Sequence, residues 1–209
     1  MLEIYFIRHG ESVGNFENRF RGRHDFPLNE NGIEQAYALR EELKNKSLEV
    51  IYSSPLQRAL KTAQIIANEK ISVNVLEAFT NISLGNWERK AKSEIKEKFP
   101  DLWNLWINNP EKLYFPGMES LSDVQSRSYQ ALGNLIKKHK SGSIAVVSHR
   151  AVFKPLFAVM LNISEPYFWK IHLDTTAYAI VEYRLDRGFT VTCLNQNKHL
   201  ERYIREDLG

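Results

Sequence analysis

The sequence has little of several features that would assign it to a special class of protein. It contains one cysteine, Cys193, in 209 residues, which excludes a framework of disulfides. No run of basic residues marks a nucleic-acid-binding face, and no apolar stretch approaches the roughly 20 residues of a membrane span. The N-terminus has neither a basic n-region nor a small-residue cleavage site. We therefore expect a cytoplasmic protein that binds neither nucleic acid nor a membrane.

The remaining composition is that of an ordinary globular protein. Hydrophobic residues make up 43% of the chain and charged residues 25%, and the length suits one domain with an inserted cap. The formal net charge is only +3, which fits a mixed solvated surface; attraction of an anionic small molecule is the alternative. The oligomeric state stays open and includes a homodimer. Residues 198–206 are interpreted as either an interface helix or a solvated tail.

Apolar periodicity predicts strands that alternate with amphipathic helices. Short runs rich in isoleucine, valine, tyrosine and phenylalanine predict strands over residues 2–7, 50–52, 73–76, 144–147, 177–183 and 189–194. Apolar residues at helical spacing predict helices over residues 31–45, 55–68, 120–139 and 151–161. Strand followed by helix, repeated, predicts an α/β three-layer sandwich whose mostly parallel sheet carries helices on both faces. The turn at residues 186–188 predicts a final antiparallel hairpin.

Residues 80–118 interrupt this alternation and contain several prolines and tryptophans. We predict a single domain of residues 1–209 with a small helical cap inserted at about residues 80–118. The aromatic residues there either line a pocket under the cap or pack the cap's own small core. For Trp103 and Trp106 the packing interpretation is favoured.

Side chains that are or can become cationic follow three of the predicted strands. Arg8 and His9 come after the first strand, Arg58 lies in the first turn after the second, and His149 follows residues 144–147. Ligands of open α/β sheets bind beyond the carboxyl ends of the strands, so these four residues should meet. Four such groups repel one another unless an anion lies among them, and the planar fork of arginine suits phosphate. Since a neutral imidazole is a nucleophile near pH 7, the pattern predicts a phosphate pocket with a histidine nucleophile.

Motifs of other chemistries are missing from the sequence. It contains no G-x-x-x-x-G-K-[ST] loop, and no G-x-G-x-x-G follows a strand. Ser148 and His149 lack the G-x-S-x-G context of a hydrolase nucleophile. No H-E-x-x-H, C-x-x-C or acidic cluster indicates a metal site. His172 and Asp174 have a spacing that a metal could use, but packing beside a strand is the favoured interpretation.

Several motifs occur in a consistent order along nearly the whole chain. They are FIRHGES at residues 6–12 with Asn15, RGRHDFPLNENG at 21–32, YSSPLQRA at 52–59, PGMES at 116–120 and VSH at 147–149. Together they resemble the signature of the histidine phosphatase superfamily, also called the phosphoglycerate mutase-like family. Met118 replaces the second glycine of the family's P-G-G-E-S motif.

The resemblance implies a chemical role for each residue of the predicted pocket. His9 would be phosphorylated on a ring nitrogen, while Arg8, Arg58 and His149 would hold the phosphoryl oxygens and stabilise the transition state. Hydrolysis would take two steps, transfer to His9 and attack of water on the phosphohistidine. The implied partners are a small phosphorylated substrate and inorganic phosphate as product. No metal and no organic cofactor are expected.

The resemblance also implies a set of residues that bind the substrate. The set comprises Asn15, Arg21, Gly22, Ser148 and Arg150. Asn15 and Arg21 would help to line the phosphate end. Arg150 stands where glycine is common in the family; a harmless helix-start residue is the favoured interpretation, and an extra contact to an acidic substrate is the alternative.

One position departs from the family in a way that affects the chemistry. The family has a carboxylic acid after the third strand, which protonates the leaving oxygen and later activates water. Gly85, Trp87 and Glu88 fix an alignment that puts Asn81 at this position. An amide donates a hydrogen bond but does not usefully release a proton, and general acid catalysis is typically worth about 10²–10⁴-fold.

Three explanations of Asn81 stay open. Another carboxylate serves as the acid, with Glu11, Glu77, Glu88 and Glu119 as candidates. In the second explanation, the enzyme turns over slowly or accepts only esters with good leaving groups. In the third, the asparagine is an engineered exchange of an original acid.

The sequence predicts first a metal-independent phosphatase that hydrolyses a small phosphomonoester through phosphorylated His9. A binding homologue with impaired catalysis is the alternative. A phosphoglycerate-type mutase is less favoured, because mutases usually carry a longer insertion before the second histidine.

Overall fold

The computed structural model of the protein describes residues 1–201. Most of the predicted tail at residues 198–206 lies outside the described residues, so the choice between an interface helix and a solvated tail stays open.

A single mixed sheet forms the centre of the described residues. Its six strands are β1 (Leu2–Arg8), β2 (Leu48–Ser53), β3 (Ser72–Val75), β4 (Gly142–Ser148), β5 (Tyr178–Arg184) and β6 (Gly188–Gln196). Their order in the sheet is β3-β2-β4-β1-β5-β6. The first four strands pair in parallel, and β5 and β6 add an antiparallel edge. The predicted α/β class, the mostly parallel sheet and the final hairpin are therefore confirmed.

Seven α-helices occur within residues 1–201. They are α1 (Val13–Phe16), α2 (Glu30–Leu43), α3 (Gln57–Ala67), α4 (Lys92–Lys98), α5 (Pro100–Asn108), α6 (Leu121–Lys138) and α7 (Arg150–Met160). The six predicted strands and four predicted helices are present, with ends displaced by no more than two residues. Across the described part of the chain, none of these helices combines the length and apolarity that a membrane crossing requires.

The side chains of β1 alternate between two hydrophobic cores, one on each face of the sheet. Leu2, Ile4 and Phe6 pack into the core that includes α6 and α7. Tyr5 and Ile7 pack into the other core, beside α2 and α3. Because a strand sends successive side chains to opposite faces, this pattern produces the three layers that the sequence predicts. It also holds β1 firmly on both faces up to the residue before Arg8.

The segment between β3 and α6 carries α4 and α5 and contains the residues predicted as the cap. Its tryptophans are buried: Trp103 and Trp106 both pack against the ring of Phe20, at centroid distances of 6.4 and 5.4 Å. α6 begins with a capping box, in which the Ser120 hydroxyl accepts from the backbone N–H of Asp123. The chain thus returns from this segment to the sheet at a well-defined point.

Candidate active site

The carboxyl ends of the parallel strands bring the predicted cationic residues to one edge of the sheet. In the pairing of β1 with β4, Arg8 lies opposite Ser148, so His9 and His149 leave the sheet side by side. β2 joins the other side of β4, and the helix that follows it places Arg58 in its first turn. All four predicted residues are nearly inaccessible, with Arg58 fully buried. The structure therefore assembles the group that the sequence predicts.

The backbone around His9 orients its ring. Nδ1 lies 2.7 Å from the carbonyl oxygen of Gly10. A carbonyl only accepts, so Nδ1 carries the proton and Nε2 keeps its lone pair. Gly10 has to be glycine because a Cβ at this residue would lie 2.5 Å from the carbonyl oxygen of Gly32. The ring nitrogen that is available for nucleophilic attack is Nε2 of His9.

The second histidine lies directly beside the first. The ring centroids of His9 and His149 are 5.0 Å apart. Nε2 of His149 contacts the hydroxyl oxygen of Ser54 at 2.8 Å, whereas its buried Nδ1 has no hydrogen-bond partner among the described residues. Nδ1 of His149 is therefore a candidate contact for a ligand of this cluster.

Two buried guanidinium groups complete the cluster, and backbone carbonyls orient both. Arg8 donates from Nη1 to the carbonyl of Leu173 at 2.7 Å. Arg58 donates to the carbonyls of His24 and Gly22 at 3.0 and 2.9 Å, and within residues 1–201 its Nε has no acceptor. Carbonyls orient these groups without cancelling their charge, and the exposed carboxylate of Asp25 lies 3.9 Å from Nη1 of Arg58. The orientation of both groups suits an anionic ligand.

Burial and mutual repulsion shift the pKa values of the cluster. Burial, reinforced by Arg21, lowers the pKa of Arg58 to about 9. Burial and the charge of Arg58 lower the pKa values of His9 and His149 well below the ordinary 6.5. The site at neutral pH therefore has two neutral imidazoles beside charged guanidiniums. This is a suitable state for accepting a phosphoryl group on a ring nitrogen.

These shifts predict how histidine ionisation and stability depend on pH. In phosphate-free buffer we expect NMR titration of the His9 and His149 rings to give midpoints below 6.5. The unfolded chain then takes up protons through pH 6.5 while the folded chain does not, so the free energy of unfolding falls as the pH is lowered from about 7.5 to about 5.5. Chemical denaturation should show a smaller fall for a variant with both histidines changed to asparagine. Midpoints at or above 6.5 would contradict the prediction.

Asn81 lies at this cluster and presents its amide in a fixed orientation. Its Nδ2 donates to the carbonyl of Gly22 at 2.9 Å, which also accepts from Arg58. The buried Oδ1 of Asn81 has no donor among the described residues. Reversing the amide would place two oxygens against each other, so the side chain presents an unpartnered acceptor. Gly22 has a φ of +50°, and a Cβ there would collide with the carboxylate of Glu88, so this position requires glycine.

A pocket opens above the cluster and is lined by both sheet-edge and cap-segment residues. Its lining comprises Arg8, His9, Arg19, Phe20, Arg21, Gly22, Asn81, Ile82, Leu84, Lys92, Trp106, Pro110, Met118, Leu121, His149, Arg150, Ala151 and Phe168. Of the predicted substrate-binding set, Arg21, Gly22 and Arg150 are therefore at the pocket. Trp106 packs in the core and also lines the pocket, so for this residue both interpretations of the aromatics apply.

Asn15 and Ser148 are not among the lining residues. The amide oxygen of Asn15 accepts from the hydroxyl of Ser12 at 2.6 Å, within the first turn of α1. The hydroxyl of Ser148 donates to the carbonyl of Phe79 at 2.7 Å, which ties β4 to the segment that carries Asn81. Their direct contact with a substrate stays a prediction.

None of the four candidate carboxylates lines the pocket among the described residues. Each already has a partner: Glu119 contacts Nε of Arg127 at 2.7 Å, and Glu88 accepts from the backbone N–H of Leu84 at 3.0 Å. Glu11 and Glu77 likewise accept from the side chains of Asn29 and Thr80. Among residues 1–201, none of the four candidates therefore serves as a replacement acid in the pocket lining.

A supporting network that no sequence motif indicates lies behind Arg8 and His9. Asp174 accepts from Asn195 and Asn197 at 3.0 and 2.9 Å and contacts His172 at 2.8 Å. Its loop supplies the carbonyl of Leu173 to Arg8. Among residues 1–201, no three histidine, cysteine, aspartate or glutamate side chains group as metal ligands would. The packing interpretation of His172 and Asp174 agrees with these contacts.

Comparison with known proteins places this geometry among phosphatases. The sequence model described as the histidine phosphatase superfamily (branch 1) matches residues 4–197. Phosphoserine phosphatase 1 of Hydrogenobacter thermophilus is 32% identical over 207 residues, which cover 99% of this chain and 98% of that protein. The structure of Bacillus stearothermophilus YhfR matches with a TM-score of 0.91 at 29% identity, covering 95% of this chain and 99% of that one. A phosphoserine phosphatase of Entamoeba histolytica, in complex with 3-phosphoglyceric acid, matches with a TM-score of 0.84 at 29% identity, covering 95% and 99%.

Proposed function

Because this chain belongs to the histidine phosphatase superfamily and is a phosphomonoesterase of that family, we propose that it hydrolyses its substrate through a phosphohistidine on His9. The orientation of His9 carries the proposal: Nδ1 is held by the Gly10 carbonyl, which leaves Nε2 for attack. The charges of Arg58 and Arg8 act on the His9 ring, the His149 ring lies 5.0 Å from it, and these groups suit the oxygens of a phosphoryl group.

The first step transfers the phosphoryl group to the protein. Nε2 of His9 attacks phosphorus while the bond to the leaving oxygen breaks, and the buried guanidiniums stabilise the charge on the equatorial oxygens. Preorganised donors of this kind act strongly because the site excludes water and they need not reorient. The depressed pKa of His9 keeps its ring neutral and nucleophilic at neutral pH.

The second step is attack of water on the phosphohistidine, which releases inorganic phosphate. The unpartnered Oδ1 of Asn81 would accept a hydrogen bond from this water and orient it. An amide does not take up the water's proton, so we expect this step to be slow and the phosphoenzyme to accumulate.

Labelling tests the proposal directly. The protein is mixed with a ³²P-labelled aryl phosphate, quenched in alkali within the first turnover, and mapped by peptide analysis. We expect label on the peptide that contains His9, stable in alkali and lost in acid, in near-stoichiometric amount because Asn81 slows its hydrolysis. Measurable hydrolysis without label on His9 would refute the phosphohistidine mechanism.

Asn81 favours one further candidate, a phosphate-binding homologue without useful catalysis. Inorganic phosphate would then raise the melting temperature while no label and no turnover above background are seen. The mutase alternative predicts phosphoryl exchange between positions of a phosphoglycerate. Chromatography that separates the phosphoglycerate isomers would reveal this exchange.

The substrate is small and phosphorylated, in keeping with relatives named as phosphoserine phosphatases and a relative in complex with 3-phosphoglyceric acid. The product is inorganic phosphate, and the proposed reaction uses no metal or organic cofactor. A cytoplasmic location and a homodimer remain predictions of the sequence.

A further inference from the structure

Among residues 1–201, the pocket lining offers no carboxyl group to protonate a departing alkoxide, and the ammonium group of its one lysine, Lys92, is a much weaker acid than a carboxyl group. The described lining residues include no aspartate, glutamate, cysteine or tyrosine. Asn81 contributes an amide whose Nδ2 is already bonded to Gly22. His9 acts as nucleophile in the proposed reaction, and burial keeps the ring of His149 neutral. A leaving group therefore departs most readily when it is a stable anion without an added proton.

The same pocket has a surface suited to such an anion. Lys92 and Arg150 line it, each less than one-tenth exposed, and so does Trp106, whose indole N–H has no acceptor among the described residues. We call these three residues the leaving-group wall. Phe20 and Phe168 line the pocket as well and suit an apolar substituent. A leaving group that carries a negative charge on an apolar body fits this combination of cationic and aromatic residues better than a polyphosphate does.

Within the proposed phosphohistidine reaction, on which this inference rests, we propose that the enzyme acts preferentially on acyl phosphates. Nε2 of His9 bonds to phosphorus as the P–O bond to the acyl oxygen breaks, and the electron pair leaves on that oxygen as a carboxylate against the leaving-group wall. Water then attacks phosphorus, the N–P electron pair returns to His9, and the water proton passes to phosphate or solvent. No oxidant, reductant or proton donor is needed for the first step.

A matched pair of substrates tests the preference. Benzoyl phosphate and benzyl phosphate have similar size and shape, but their leaving groups differ. Benzoyl phosphate releases a carboxylate whose conjugate acid has a pKa of about 4, whereas benzyl phosphate releases an alkoxide whose conjugate acid is far weaker. We expect kcat/KM, which reports substrate binding and phosphoryl transfer to His9 but not the later hydrolysis, to be at least about 10³-fold higher for benzoyl phosphate after subtraction of spontaneous hydrolysis. Equal values for the two substrates would overturn the inference.

A matched pair of lysine variants tests the leaving-group wall. Lys92→Gln should lower kcat/KM for benzoyl phosphate about tenfold and leave competitive inhibition by inorganic phosphate unchanged, while Lys92→Arg should restore much of the loss. Lys90→Gln is the control, because Lys90 is exposed, pairs with Glu94 and lies outside the pocket lining. Melting temperatures of all variants report whether the fold is intact. An unchanged rate in well-folded Lys92→Gln would overturn the role of the wall.

The outcomes separate this inference from the proposed function. If neither substrate is hydrolysed and no label reaches His9, the phosphohistidine proposal itself fails. If both are hydrolysed at similar rates with label on His9, the proposed function stands and the preference for acyl phosphates is wrong. Label on His9 from benzoyl phosphate, with benzyl phosphate turned over far more slowly, supports both.

Discussion

Replacing His9 by alanine is expected to lower kcat/KM for every phosphorylated substrate by about 10⁴–10⁶-fold, because the proposed nucleophile, which the Gly10 carbonyl orients, is removed. Binding of inorganic phosphate should change much less, since Arg8, Arg58 and His149 keep their positions on the sheet edge and their backbone partners. Stopped-flow assays with a chromogenic aryl phosphate measure the rate, and calorimetric titration with phosphate measures the affinity.

His139→Ala is the matched control for this loss. His139 follows the last residue of α6 and precedes the amino end of β4, so it lies away from the sheet edge that carries the candidate active site. Its ring contacts the hydroxyl of Tyr52. We expect its removal to leave kcat/KM unchanged. Turnover by His9→Ala within tenfold of the unaltered protein would show that another group attacks phosphorus.

Changing Asn81 to glutamate or aspartate is expected to raise the hydrolysis of alkyl phosphates by about 10²-fold, and that of aryl phosphates much less. An alkoxide needs a proton to leave, whereas a phenolate with a conjugate-acid pKa of about 10 needs it less. The carbonyl of Gly22, which now accepts from Nδ2 of Asn81 at 2.9 Å, would favour the protonated form of the new carboxyl group. Rates of benzyl and phenyl phosphate, measured side by side, provide the ratio.

Asn81→Gln separates the effect of the acid from that of side-chain length. It is as long as glutamate but keeps the amide, so it should raise neither rate. The carboxylate variants should also shorten the life of the phosphoenzyme, because a carboxylate takes up the proton of the attacking water. Equal gains on both substrate classes, or no gain, would mean that Asn81 does not occupy the place of the acid.

The site could be predicted from the sequence wherever it depends on strand ends. Arg8, His9 and His149 follow apolar runs whose lengths and order imply a parallel sheet, and parallel strands bring their carboxyl ends to one edge. Arg58 follows from the same rule, because it lies in the first turn after a strand. The apolar periodicity of the sequence is therefore enough to predict that these four residues meet at one edge of the sheet, although it does not predict their contacts.

Contacts through backbone carbonyls could not be predicted in this way. The carbonyl of Leu173 accepts from Arg8 across 165 residues of sequence, and any residue type could have supplied it. The position of Lys92 at the pocket depends on how the cap segment folds over the sheet edge, and a single lysine at the start of a short helix has no distinctive pattern. The orientation of the Asn81 amide depends on the carbonyl of Gly22, which is equally invisible in the sequence.

The strand order has a consequence for how the protein is made. β1 pairs with β4 on one side and β5 on the other, so the strand that leads to His9 finds its first neighbour only when Gly142 has been synthesised, 140 residues after Leu2 (142 − 2). At about 5–20 residues per second, translation takes roughly 7–28 seconds to cover that distance. Throughout this time β1 has no partner in its sheet, and Arg8 has no Leu173 to hold it. The cluster at this edge of the sheet is therefore completed late, although His9 is among the first residues to be synthesised.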